Sequence, residues 1–377
     1  MGKFIKDNFL LFTASVLSFI LMGGGQAMMG PALPEFRSLF GLSIAAASTI
    51  VTAQWVGALI GVIFLYFAPR RDWLRPAFGL LTIGAGLMAL SPGWPLTIFG
   101  SFCFGAGYGA TLALANSRLL AAFGSYGPSI ISLVNALFGG GAILSPLLFV
   151  AIGRDPMIAF GTLAVLLLLV VALSLRLPAA GGAEDSARES RVFRPSPAML
   201  IVGASGTAIE ACLIGLGPVI LTRSGLGEDA AAGALSLFFV FFLSGRLVLS
   251  YLGNKLPAAP MLIGGFLGGA VFLALAASGI ASQYSFALTG FFIGSLFPNF
   301  FVLGSKRLGD DHRTGPLLVG AALAGGVTGP LVIGRLIEQL DPLTPFWLLA
   351  GYAVVIAVLG FWIFGRRAPA RSLKDAV

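Results

Sequence analysis

The stretch MIAFGTLAVLLLLVVALSL, Met157–Leu175, runs from a proline-ended loop to Arg176 without one charged side chain. It does not alternate polar with apolar residues, so it is not one of the ten-residue strands of a membrane barrel. Its length is that of a helix crossing a bilayer, which takes about 20 residues. The rest of the chain follows suit. Of 377 residues, 57% are hydrophobic and only 10% charged, and the mean hydropathy is +0.97, whereas a soluble domain has about 25% charged residues. Apolar windows bounded by Pro, Gly and charge clusters place twelve spans at about 8–31, 43–67, 76–92, 95–121, 127–151, 157–176, 198–222, 230–252, 258–279, 282–304, 315–338 and 343–365. The first follows Lys3 and Lys6 but is too long for the apolar core of a secretory signal, so it reads as a span.

The basic residues set the orientation. With the N-terminus inside, nineteen Lys and Arg fall on the cytoplasmic side, and only Arg37, Arg154, Arg223 and Arg335 fall outside. Excess Lys and Arg mark cytoplasmic loops, so both termini are expected in the cytoplasm and the chain in the plasma (inner) membrane. A net charge of +8 would suggest nucleic acid in a soluble protein, but here the charges sit in loops between lipid-embedded helices, and no nucleic-acid partner is expected. Cys103 and Cys212 lie inside spans and His312, the only histidine, lies in a loop, so neither a metal set nor a His-based triad can be assembled. There is no phosphate-binding loop, and the GAGYG of the fourth span follows no strand, so no nucleotide or other cofactor is expected. An enzyme acting on lipid would need a nucleophile and base or a metal near the interface, and the sequence supplies neither.

The longest polar stretch, Arg176–Pro197, carries Glu184, Asp185, Arg188, Glu189, Arg191 and Arg194 and follows the sixth span. It divides the chain into residues 1–177, a cytoplasmic linker at 178–197 and residues 198–377, giving an all-α protein of two six-helix bundles. An offset of 184 residues aligns Gly61 with Gly245, Arg71 with Lys255, Gly84 with Gly268, Gly141 with Gly325 and Pro146 with Pro330. With 52 glycines, about four Gly–Gly matches arise by chance. The more telling fact is that the matches fall at the same points of matched spans, as in a duplicated unit.

Polar side chains are unevenly shared. Spans three, six, nine and twelve carry almost none, whereas the others hold Gln26, Gln54, Asn116, Asn135, Glu210, Arg246, Gln283 and Asn299. A buried amide or charge in hydrocarbon needs a partner or a watered cavity, so the four poor spans are expected to face lipid and the other eight to surround a cavity. Glu210 is the only carboxylate well inside a span, near the midplane. A carboxyl that is alternately dry and wet can take up and release a proton, and Glu210 is the candidate for proton coupling; helix-to-helix hydrogen bonding is the structural alternative. Gln26 occupies the equivalent place 184 residues earlier. Gln54 and Trp55 in the second span and Tyr108 in the fourth also fall near mid-depth, and a ring beside amides suits a sugar-like solute. Together with Asn135 and Asn299 they complete the candidate substrate set. Small residues four apart at Gly57/Gly61, Gly105/Gly109, Gly141/Ser145, Gly264/Gly268, Gly290/Gly294 and Gly325/Gly329 predict close helix approach.

Two six-helix halves joined by a central loop resemble the major facilitator superfamily. That family's loop motif, in which glycine and leucine precede an acid and basic residues, is matched in outline by GRLVLSYLGNKLP, Gly245–Pro257, with Ser250 for the glycine, Leu252 for the leucine, Asn254 for the aspartate and Lys255 for the arginine. The copy after span two, YFAPRRDWLRP, has Arg70 in the acid's place and Arg71 as the basic residue. The resemblance implies a gating role for Arg70, Arg71, Arg246, Asn254 and Lys255, with the latching acid missing from both copies. NALFGGGAILSPLL, Asn135–Leu148, and AGGVTGPLVIG, Ala324–Gly334, resemble both the Gly/Pro-rich fifth span of proton-driven drug antiporters and the fucose-symporter-like and sodium-glucose-transporter-like branch. The resemblance implies a secondary active transporter that moves a small polar solute by alternating access. Proton-coupled sugar symport by a monomer is the leading expectation, with sodium as the other candidate ion. Proton-driven efflux of lipophilic compounds is the alternative.

Overall fold

The computed structural model describes residues 7–69, 71–177, 193–337 and 339–365. Arg70 and residues 178–192 of the predicted linker lie outside the described residues. The protein is all-helical there, with twelve helices: α1 Phe9–Phe40, α2 Ile44–Phe67, α3 Leu74–Leu90, α4 Trp94–Phe123, α5 Gly127–Ala151, α6 Pro156–Leu175, α7 Pro197–Arg223, α8 Glu228–Leu252, α9 Ala258–Ala277, α10 in two segments, Ser282–Ile293 and Leu296–Leu308, α11 Thr314–Leu336 and α12 Thr344–Gly360. A π-helical turn, Phe361–Gly365, extends α12. Among the described residues, ten helical stretches are long and apolar enough to cross a membrane. One of them, Trp94–Ala151, holds both α4 and α5, joined by the 3-10 turn Gly124–Tyr126, and α3 is an apolar helix of 17 residues. Twelve transmembrane helices in two six-helix bundles result.

The repeat is written into the packing. Each helix of the second half ends 183 to 187 residues after its counterpart. A Cβ built on Gly141 would fall on the Ile20 carbonyl of α1, and one on Gly325 would fall on the Ala204 carbonyl of α7, positions 184 apart on both partners. Likewise Gly105 and Gly109 press on the Gln54 and Ala58 carbonyls, while Gly290 and Gly294 press on those of Phe238 and Phe242. Where hydrophobicity does not drive helices together, such close backbone approach supplies the van der Waals contact. Gly264 departs from the expectation, since a Cβ there would meet nothing within 4 Å.

The largest boundary correction is at α1, expected to end near residue 31. It continues through Pro31 and Pro34 to a left-handed Gly41 cap (φ 62°), where the Leu42 amide donates to the Arg37 carbonyl at 3.0 Å. Proline weakens a helix locally; here tertiary packing outweighs it, because Phe36 is fully buried against Phe160 (centroids 6.0 Å apart) and Trp94 (6.4 Å).

The chain forms two compact units. The first is built on residues up to Arg194 together with Arg246–Lys255 and Gly304–Ala324, and in it α4 packs on α2 and α3, α6 on α1 and α3, and α1 on α5. The second is built on Pro195–Gly245, Leu256–Leu303 and the chain from Gly325 onward, with α9 packed on α10 and α12 and a 2.6 Å hydrogen bond between the hydroxyls of Ser205 (α7) and Tyr352 (α12). The polar-poor helices expose apolar rows as expected, among them Val165, Leu168 and Leu169 of α6 and Val354, Val355 and Val358 of α12. Exposed apolar surface is not confined to them, since α2 also exposes Val56, Ile60 and Ile63, and α5 exposes Leu144, Leu147 and Leu148.

Candidate functional site

Glycine decides which side chains meet in the first unit. Gly105 and Gly109 of α4 bring it onto the α2 backbone, and Gly57 and Gly61 of α2 meet the Phe102 and Ala106 carbonyls in return. Helices this close carry their side chains into contact, and the Trp55 and Tyr108 rings meet edge to face, 6.4 Å apart at 80°. Edge-to-face is a preferred geometry for aromatic pairs. Gln54, on the same turn as Trp55, is 3% exposed. Tyr108 also lies 6.0 Å from the ring of Phe138 on α5, so three aromatic rings form one wall. Phe138 escaped the sequence reading. The available signal was the glycine run that follows it, which lets α5 approach α1 so closely that a Cβ on Gly23 would fall on the Phe138 carbonyl. One turn further along α1, Gln26 is half-buried, and its carbonyl oxygen is buried without a hydrogen-bond partner. A buried acceptor left unmade costs about 1–3 kcal/mol, and a solute hydroxyl would satisfy it.

The asparagines are placed differently. Asn135 is 4% exposed and its side-chain amide donates to the Ile131 carbonyl (2.9 Å) and the Asn116 side chain (3.4 Å), while its backbone carbonyl accepts from Arg246 at 2.9 Å. Arg246 is itself 6% exposed, so α8 enters the first unit through a buried guanidinium-to-carbonyl bond. Asn299, in the second unit, donates to the Ser295 carbonyl (2.9 Å) beside the break in α10. Glu210 is half-buried on α7, one turn beyond Gly206 and two beyond Gly203, which face Leu296 and Phe300 of α10.

Of the gating set, Asn254 accepts from the Ser129 hydroxyl at 3.3 Å, and a Cβ on the neighbouring Gly253 would lie 3.2 Å from the Ser129 amide nitrogen. Lys255 sits 3.7 Å over the Tyr251 ring, and Arg71 is exposed. The first loop carries an acid outside the motif position that Arg70 occupies. Asp72, two positions after Arg70, pairs with Arg118 of α4 at 2.5 Å and accepts from the Leu74 amide at 3.1 Å, just ahead of α3. Arg75 fastens the same end, donating to the Ser174 (3.0 Å) and Leu177 (2.6 Å) carbonyls.

A family model described as the Major Facilitator Superfamily matches residues 15–317. A chloramphenicol resistance protein of Streptomyces lividans is 24% identical over 396 residues, an alignment covering 94% of this chain and 96% of that protein. Among solved structures, the E. coli fucose:proton symporter FucP superposes with a TM-score of 0.76 at 18% identity, covering 93% of this chain and 98% of that one. The proton:xylose symporter XylE superposes with a TM-score of 0.75 at 16% identity, covering 95% and 96%. At these identities the structural likeness establishes the fold.

Proposed function

The chain belongs to the Major Facilitator Superfamily and is an integral membrane transporter, and we propose that it moves a small neutral solute of sugar-like size in symport with protons. The observation that carries this reading is the aromatic wall of Trp55, Tyr108 and Phe138 beside Gln54. A ring wall accepts the apolar face of a pyranose, and the unpartnered Gln26 carbonyl suits a hydroxyl donor. Glu210 serves as the proton carrier, and residues 1–177 and 198–377, joined by 178–197, act as the two rocking bodies of alternating access. The protein works as a monomer in the plasma membrane with both termini in the cytoplasm. Asn135 and Asn299, already bonded to helix carbonyls, would reach solute only after rearrangement, so the substrate contacts rest on Gln26, Gln54 and the rings. A symporter of fucose and one of xylose among the structural neighbours are in keeping with this reading.

Export of lipophilic compounds is the second reading. It is favoured by the chloramphenicol resistance relative and by the small number of amides that remain for a polyhydroxylated solute. Uptake of a labelled hexose and pentose panel into proteoliposomes with an inward proton gradient separates the two. Accumulation is expected, with Tyr108→Phe retaining it. Tyr108→Ala is expected to weaken half-saturation about tenfold, which corresponds to about 1.4 kcal/mol of ring contact. Wild-type protein that accumulates no sugar, yet raises the tolerance of expressing cells to chloramphenicol, would replace symport by export.

A further inference from the structure

Phe193, at the end of the central linker, is half-buried between two elements of the first unit. Its ring lies beneath the Arg313 guanidinium, 4.2 Å from centroid to Cζ, and 6.4 Å from the ring of Tyr66 on the last turn of α2. Arg313, just ahead of α11, is held in place by a two-pronged bond to Asp311, Nε to Oδ1 at 2.9 Å and Nη2 to Oδ2 at 2.8 Å. That bond also holds the Asp311 carboxyl below its ordinary range, so the fork stays charged at neutral pH. A planar guanidinium fixed by its carboxylate offers its face to an aromatic ring with little left to order.

The ring stands where two helices meet. One turn inside Tyr66, Val62 lies 3.3 Å from where a Cβ on Gly320 of α11 would sit. A Cβ on Gly315, at the start of α11, would fall on the Ser117 hydroxyl of α4. Val62 and Arg246 are 184 positions apart, so α2 meets α11 at Val62 as α8 meets α5 at Arg246. These two crossings close the same basic end of the first unit, and a transporter that alternates its access must part them.

We propose that Phe193 is a strap: by bridging Tyr66 and Arg313 it holds the ends of α2 and α11 together and biases the transporter toward the state in which this end is closed. Phe193 is then a working part of the gate. The inference rests on alternating access by a superfamily member and not on the identity of the solute or the coupling ion.

The test therefore uses no substrate. In a background carrying Cys103→Ala and Cys212→Ala, Ser129→Cys places a reporter thiol at the buried position beside Asn254, on a residue that is not one of the strap's three. Its labelling rate with a membrane-impermeant maleimide reads how often this end opens. Phe193→Ala is expected to raise that rate roughly two- to fivefold, the size of an exposed cation–π contact. Arg313→Gln should raise it similarly, the double variant no further than either alone, and Phe193→Tyr should leave it at the parent value. An unchanged rate in both Phe193→Ala and Arg313→Gln, in protein that elutes and melts like the parent, would overturn the proposal. So would an equal rise in Phe193→Tyr.

Discussion

Glu210→Gln is expected to abolish gradient-driven accumulation while leaving exchange of solute across the membrane intact. The amide copies the shape and neutrality of a protonated carboxyl, so the variant behaves as a carrier that is always loaded with its proton. It can shuttle with solute bound, yet it can neither collect a proton on one side nor release it on the other. One pH unit across the membrane supplies about 1.36 kcal/mol per proton, enough to concentrate a solute about tenfold at one proton per turnover. The accumulation ratio should therefore fall from about ten in the wild type to about one, with counterflow of preloaded solute within about twofold of wild type. Gln26→Ala, at the equivalent place in α1, should instead weaken half-saturation and leave the accumulation ratio alone, because it removes an acceptor and not a proton carrier. Wild-type accumulation by Glu210→Gln would return this residue to a packing role within α7.

The second large effect concerns folding. A Cβ at Gly325 would coincide with the Ala204 carbonyl, and one at Gly141 with the Ile20 carbonyl, so even alanine forces α11 off α7 or α5 off α1. Overpacking a well-filled core costs about 1–3 kcal/mol, and backbone that cannot give way puts these sites at or beyond the upper end. Gly325→Val is expected to leave little folded protein in detergent, and Gly325→Ala to lower the unfolding temperature by several degrees. Gly141→Ala should match Gly325→Ala because the two contacts are repeats of one another. Gly264→Ala is the control, since nothing lies within 4 Å of its Cβ position; alanine there favours the helix by up to about 1 kcal/mol. Thermal unfolding of the four variants against wild type decides the matter, and a Gly325→Val protein as stable as wild type would refute the close approach of α7 and α11.

Residue patterns in the sequence anticipated some contacts of the candidate site and missed others. Gln54, Trp55 and Tyr108 were legible as a group because each falls near the middle of its span, while the glycines of α4 predicted a close approach without naming α2 as the partner. Phe138 was not, because a phenylalanine in an apolar helix looks the same whether it lines a wall or touches lipid. Asn135 and Asn299 read as solute contacts because an amide in hydrocarbon needs a partner; the structure supplies that partner from the helix itself one turn away, at Ile131 and Ser295. In the loop motifs, the partners of Asn254 and Arg246, Ser129 and the Asn135 backbone carbonyl, could not be read from the sequence, nor could the pairing of Asp72 with Arg118.

The sequence by itself determined the twelve helices, their six-plus-six division and the 184-residue repeat. A bilayer core offers no water to backbone groups, so every spanning segment must be an apolar helix of nearly fixed length, and one-dimensional hydropathy then carries most of the architecture. Tertiary structure alone decided how far α1 runs past Pro31 and Pro34, which asparagines are engaged, what Asp72 pairs with and what Phe193 touches. These rest on pairs far apart in the chain, such as Phe36 with Phe160, Asp72 with Arg118 and Phe193 with Arg313. No local period encodes a partner a hundred residues away; it is fixed only once the helices have packed.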